Sequence, residues 1–268
     1  LWHMDDESWL GGLPVIDSSG FGRNGTANGT AKPAAGARVG RRSGAFNGST
    51  DWIDIDSQQG SGDFSLCAWV KTSSTNRSMV VAMAGGYYAL EVNGNGGGAL
   101  RGAAAFTLND GVHGARSAVA GNANINDGDW HHLVGLRNGD QIHIYVDGLK
   151  AGTADLGPGY AGVAGGVAFI GKLGSQYYLA GYVDEVAIYS RVLSEAEIGS
   201  LAVLGFDTRG ATSFLGPPID AGRSAIWQSM RWCVDGVYSM AQPGSDPTLR
   251  GLWHLDVAPV NLTPDASG

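Results

Sequence analysis

The stretch WHHLVGLRNGDQIHIYVDGLKAGTADL, residues 130–156, narrows the possible folds more than any other part of this chain. Its apolar residues recur at every second position, the spacing of a strand, and not at the spacing of a helix. Asn138-Gly139-Asp140 interrupts the first run, and Asp147-Gly148 starts the next tight turn, so the segment reads as a hairpin with a further turn behind it. The same period governs residues 45–57 (AFNGSTDWIDIDS), where Trp52, Ile53 and Ile55 alternate with aspartates after a Gly-Ser-Thr turn. In residues 63–72 (DFSLCAWVKT), Phe64, Leu66, Ala68 and Val70 share one face and Ser65, Cys67 and Trp69 the other, so both faces are expected to be covered. Residues 79–98 give two strands around Gly85-Gly86, and residues 166–172 and 178–191 give further strands. Only residues 193–204 (LSEAEIGSLAVL) read as a helix. Ser194 is its N-cap, Glu197 the capping-box partner, and Leu193, Ile198 and Leu201 its apolar stripe.

Composition agrees with many short strands joined by turns. Gly accounts for 44 of 268 residues, more than double the usual ~7%. The net charge of −8 disfavours nucleic acid and anionic membrane as partners. No run of about 18 apolar residues is present to span a bilayer. The opening at Leu1, with neither an initiator Met nor a charged-then-apolar leader, reads as a processed or excised chain.

The chain also repeats itself. LWHMD at residues 1–5 returns as LWHLD at 252–256, and Asp17-Ser-Ser-Gly20 returns as Asp265-Ala-Ser-Gly268, with three fewer residues between. A period of 251 residues is too long for a solenoid unit and reads as whole domains in tandem. Residues 205–250 keep strand-like alternation around Asp235-Gly236, between proline-rich stretches, and read as a β-rich connector between repeats.

Six segments, in order, resemble the laminin G-like, concanavalin A-like jelly roll. They are LWHMD, VIDSSGFGRNGT, RRSGAFNGSTDWIDI, DFSLCAWVKT, DGDWHHLVGLRNGDQIHIYVDG and AGYVDEVAIYSRVLSEAEI, and they span roughly residues 1–203. The resemblance implies an all-β fold, a two-sheet antiparallel jelly-roll sandwich with one short helix over residues 1–204. The connector 205–250 lies outside the resemblance. Residues 251–268 would be the start of a second repeat or a donated strand, whose Leu252, Trp253 and Leu255 need burial by an assembly partner.

Proteins similar to this often hold a structural calcium at one edge of the sandwich. Asp17, Asn24 and the glycine-bent backbone between them, together with Asp184, are the candidate oxygen ligands. The competing reading is that Asp17 caps a turn and Asp184 accepts backbone hydrogen bonds. His131 and His132 face opposite ways on a strand and so read as structural, not metal-binding. The Glu-x-Asp-x-x-Glu strand of related glycoside hydrolases is absent, Glu91 stands alone, and no nucleophile elbow or P-loop is present, so no enzyme activity is expected. Trp52, Tyr88, Tyr177 and Tyr178 are candidate sugar platforms, against the reading of ordinary surface aromatics. Cys67 and Cys233 either form one bridge or remain two buried thiols. Together these readings describe a non-catalytic repeat unit of an extracellular or cell-surface protein, adhesive or filament-forming, that assembles head-to-tail with other copies. The alternative is a carbohydrate-binding module of a larger secreted protein, with glycans as partners.

Overall fold

The computed structural model describes residues 1–57, 62–83, 87–162 and 166–204. The connector and the closing segment, and with them Cys233, Leu252, Trp253 and Leu255, lie outside the described residues. The strands are β1 (Thr26–Asn28), β2 (Lys32–Ala35), β3 (Arg42–Asn47), β4 (Trp52–Ser57), β5 (Phe64–Lys71), β6 (Ser78–Met83) and β7 (Tyr87–Gly94). They continue with β8 (Ala99–Asn109), β9 (Ala115–Ala120), β10 (Trp130–Asn138), β11 (Gln141–Val146), β12 (Leu149–Asp155), β13 (Gly166–Ile170) and β14 (Ala180–Tyr189), and helix α1 (Glu195–Leu204) follows. They form two antiparallel sheets of seven strands, ordered β1-β4-β13-β6-β7-β8-β9 and β12-β11-β10-β5-β14-β3-β2. Neighbours distant in sequence, such as β4 beside β13 and β5 beside β14, are the crossovers of a jelly-roll sandwich.

Alternation places the core. Ile53 and Ile55 of β4, Leu66 and Val70 of β5, Phe106 of β8, Leu133 of β10 and Val183 of β14 meet between the sheets. Phe64 packs against Tyr88 at 5.5 Å and Phe106 at 5.8 Å between ring centroids. Each such side chain contributes roughly 1.5–3 kcal/mol by leaving water. Gly135 is required where β10 passes Phe106, because a Cβ there would overlap the ring. The Asp147-Gly148 turn has φ of 51° and 85°, the two left-handed residues of the mirror-image hairpin turn.

The predicted helix forms with its predicted cap. Ser194 Oγ accepts the Glu197 N–H at 3.3 Å, and Glu197 Oε2 accepts the Ser194 N–H at 2.8 Å. Leu193 and Ile198 then cover Cys67, Val134, Leu136, Tyr145 and Ala187 on the outer face of the second sheet. Two features depart from the sequence reading. First, β1, β2, β8 and β9 carried no legible strand signal. Second, β14 does not keep Tyr182, Asp184 and Val186 on one face. A bulge at Glu185, φ 50°, inserts a residue, so Val183 and Val186 both enter the core.

Candidate functional site

With Ile53 and Ile55 turned inward, Trp52 and Asp54 of β4 must face outward. On the neighbouring β13, Ala168 and Ile170 are buried, so Phe169 and Val167 face the same way, with Phe169 opposite Asp54 and Val167 opposite Asp56. The loop that follows β13 folds over this strip. It is closed by reciprocal backbone hydrogen bonds between Leu173 and Gln176, and tied to β6 by the Met79 N–H to the Tyr177 carbonyl at 3.0 Å. This brings Tyr178 to 6.3 Å from Trp52, between ring centroids. The Lys172 ammonium lies 3.4 Å above the centre of the Trp52 ring, 4.8 Å from Phe169 and 6.0 Å from Tyr178. The Trp52 indole N–H donates to Asp54 Oδ1 at 2.9 Å, and the Asn28 amide donates to Asp54 Oδ2 at 2.9 Å. In the same loop Tyr177 carries the Arg77 guanidinium 4.5 Å above its ring, and Arg77 is ion-paired to buried Glu91 at 2.9 Å. The result is a surface strip of aromatic rings bordered by a carboxylate, an amide and an ammonium.

Of the candidate platforms, Trp52, Tyr177 and Tyr178 are therefore gathered on one surface. Tyr88 is not among them. It is fully buried and packs on Phe64, because β7 turns that side chain into the inter-sheet core. Sequence reasoning missed Phe169, Lys172, Asp54 and Asn28. Phe169 was legible in the alternation of GVAFI, whereas Lys172 joins the site only through the fold of its loop.

The three candidate calcium ligands are arranged differently from a cation site. Asp17 Oδ1 accepts the Leu1 amine at 3.1 Å and the Ser19 N–H at 2.9 Å, and Oδ2 accepts the Arg23 N–H at 2.9 Å. The Asn24 side-chain oxygen accepts the Asp17 N–H at 2.9 Å. Burial acts to raise the Asp17 pKa, but the bonds from Ser19 and Arg23 hold it well below the usual carboxylate range. Asp184 accepts the N–H groups of Arg38 at 2.8 Å, Val39 at 3.0 Å and Glu185 at 3.0 Å. Burial, with the Glu185 charge adding to it, pushes Asp184 up to about 8 against the lowering effect of these N–H bonds. These oxygens are ringed by the positive ends of N–H dipoles. Among the described residues no three His, Cys, Asp or Glu side chains are grouped to hold a metal. As arranged, the donor set does not fit calcium.

The remaining polar residues are built into the fold. His131 sits between Asp147 at 2.8 Å and Asp127 at 3.2 Å, and the Asp147 bond holds its pKa above the usual value despite burial. His132, on the opposite face, lies 5.0 Å from Trp69, and burial lowers it to about 4. Glu91 accepts the Thr107 hydroxyl at 2.6 Å besides Arg77, so it is not a carboxylate presented to a substrate. The Cys67 thiol is sealed beneath α1, and burial pushes it up to about 12.

Three comparisons place this fold. The model of the Laminin_G_3 family, of the concanavalin A-like lectin/glucanases superfamily, matches residues 47–199, more than half of the chain. No curated protein sequence matches it. Domain 4 of AbnA, a GH43 extracellular arabinanase from Geobacillus stearothermophilus solved in complex with arabinotriose, has a TM-score of 0.58 at 20% identity, covering 69% of this chain and 91% of that one. The receptor-binding domain of the botulinum neurotoxin C/D mosaic serotype has a TM-score of 0.58 at 14% identity, over 76% of this chain and 50% of that one. The botulinum neurotoxin serotype G binding domain gives 0.56 at 18%, over 74% and 50%. The chain thus spans about half the length of the toxin domains, and identities this low speak for the fold alone. On the family match, the chain belongs to the Laminin_G_3 family of the concanavalin A-like lectin/glucanases superfamily.

Proposed function

We propose that this domain is a non-catalytic glycan-binding module of a secreted or cell-surface protein. The observation that carries the reading is the gathering of Trp52, Phe169 and Tyr178 on one outer strip beside Asp54, Asn28 and Lys172. Sugars present apolar C–H faces and polar hydroxyl edges, so they are recognised by ring surfaces with a few fixed polar groups. Indole and phenol rings lose little freedom on binding, and here the Lys172 contact and the Asp54 bond already fix Trp52. The similarity to the arabinanase domain solved with arabinotriose makes arabino-oligosaccharides the first probes. On an oligosaccharide array the domain should bind at least one glycan. Trp52→Ala and Tyr178→Ala should each weaken that binding about tenfold, or 1.4 kcal/mol, with near-ultraviolet circular dichroism otherwise retained. Binding that is indifferent to both substitutions would refute the site.

The echo at residues 252–268 supports a second reading, that the domain is one unit of a tandem adhesive protein joined head-to-tail. Several of the residues repeated there have a structural task in the first copy. The Trp2 N–H and carbonyl pair with Val186 at 2.8 and 3.0 Å, and its indole donates to the Arg23 carbonyl. His3 meets Glu185 at 2.7 Å, and Asp5 accepts the N–H groups of Arg41 and Arg42. Ser18 contributes a backbone N–H to the Leu1 carbonyl, which Ala266 would retain. Replacing residues 1–20 by residues 252–268 should preserve a folded sandwich. A chain that no longer folds would remove this support.

A further inference from the structure

Lys172 is the charged residue on the aromatic strip whose charge is least answered. It is 8% exposed. Its described contacts are the rings of Trp52, Phe169 and Tyr178, and among the described residues it has no carboxylate partner and no hydrogen-bond acceptor. The contrast with its neighbour is instructive. Arg77 lies on Tyr177 in a similar way, yet its charge is neutralised by Glu91 at 2.9 Å. Asp54, on the same strip as Lys172, spends its oxygens on the Trp52 indole and the Asn28 amide. An ammonium keeps three N–H donors that ring faces do not satisfy as oxygen does. Partly dehydrated and held in place, it is prepared to meet an anion whose arrival costs little further reorganisation.

Resting on the glycan-binding reading, we infer that the strip selects acidic sugars, with Lys172 pairing the carboxylate of a hexuronate while the sugar ring lies against Trp52 and Tyr178. The rings supply the contact area common to neutral and acidic sugars. The ammonium supplies the discrimination, because only the acidic sugar offers it a full negative charge. The net charge of −8 places this recognition in the local contact and not in long-range attraction.

The test is titration calorimetry of the whole chain with a galacturonic acid trimer and, separately, with a galactose trimer. The acidic trimer should bind about tenfold tighter, and raising salt from about 0.1 M to 1 M, which shortens the Debye length from about 10 Å to 3 Å, should erode that preference. Lys172→Gln should bring the two affinities close to parity by weakening the acidic trimer about tenfold more than the neutral one, and Lys172→Arg should restore the preference. A purely structural lysine would instead lower both affinities by the same factor and keep the preference, and that result would overturn the inference. Equal affinity of the unaltered chain for the two trimers would overturn it while leaving glycan binding intact. Binding of neither trimer, nor of any arrayed glycan, would refute the parent reading and this one with it.

Discussion

Two patches, one on the outer face of each sheet, are built from the same alternating pattern and end in opposite conditions. On the second sheet, α1 seals Cys67, Val134, Leu136, Tyr145 and Ala187, and the Arg38 guanidinium lies 4.4 Å above Trp69, itself beside His132. On the first sheet, the outward residues of β4 and β13 keep a wet edge, with Val167 58% exposed and Trp52 and Phe169 half-buried. An outward aromatic therefore says nothing of function until its cover is known. Trp69 is structural because it is buried beneath Arg38, and Trp52 is a candidate because it stays half-exposed, with Lys172 over its ring and Tyr178 beside it.

The contrast breaks most readily at the covered face. Ile198→Ala should cost about 2–4 kcal/mol in urea unfolding, since it deletes buried methyl groups between α1 and the sheet. It should also expose Cys67, whose native thiol should not react with alkylating reagents until the domain unfolds. Rapid alkylation of the native, unaltered chain would contradict the sealed face.

Asp184 tests the same face through pH. Its folded pKa of about 8 lies well above the ordinary aspartate value of about 3.9, so between the two the folded state holds a proton that the unfolded state has released. Stability should fall as pH rises from about 4 to about 8 and level off beyond. Asp184→Asn should flatten that slope and gain on the unaltered chain at high pH. Asp184→Ala should cost about 1–3 kcal/mol by stranding the N–H groups of Arg38, Val39 and Glu185. An unchanged slope in Asp184→Asn would refute the buried, protonated carboxylate.

His131 should have a smaller effect with the same direction. Its folded pKa is raised, so its bonds to Asp147 and Asp127 stabilise fully below about pH 6.5, and the contribution is lost as pH rises through the folded value. His131→Gln should lower the melting temperature at pH 6 more than at pH 9, and an equal loss at both would contradict this. Smallest of all is the effect of chelation. EDTA should leave the melting curve unchanged, whereas a fall would show that calcium binds where Asp17 and Asp184 do not suggest it.

The legible parts of the fold were those where alternation meets a turn. Residues 130–156 gave β10, β11 and β12 with their Asp147-Gly148 turn, and Ser194 with Glu197 gave the start of α1. Strand β8, eleven residues long, was not legible. Within its buried Ala103-Ala104-Ala105 run no polar residue separates the two faces, and alanine has little strand preference. The bulge at Glu185 was hidden for a related reason, since one inserted residue changes faces without changing composition. At the site, the sequence named aromatics but could not tell Tyr88, which faces Phe64, from Tyr178, which faces Trp52. It also gave no hint of Lys172, whose place depends on the closure of its loop by Leu173 and Gln176.

Amide hydrogen exchange with and without the best-binding oligosaccharide tests most directly the claim that the patch under α1 is covered for stability and the β4–β13 edge is left open for recognition. The account predicts ligand-dependent slowing in β4, in β13 and in residues 172–178, with β10, β11 and β14 unaffected. Protection confined to the second sheet, or absent from β4 and β13 at saturating ligand, would contradict it.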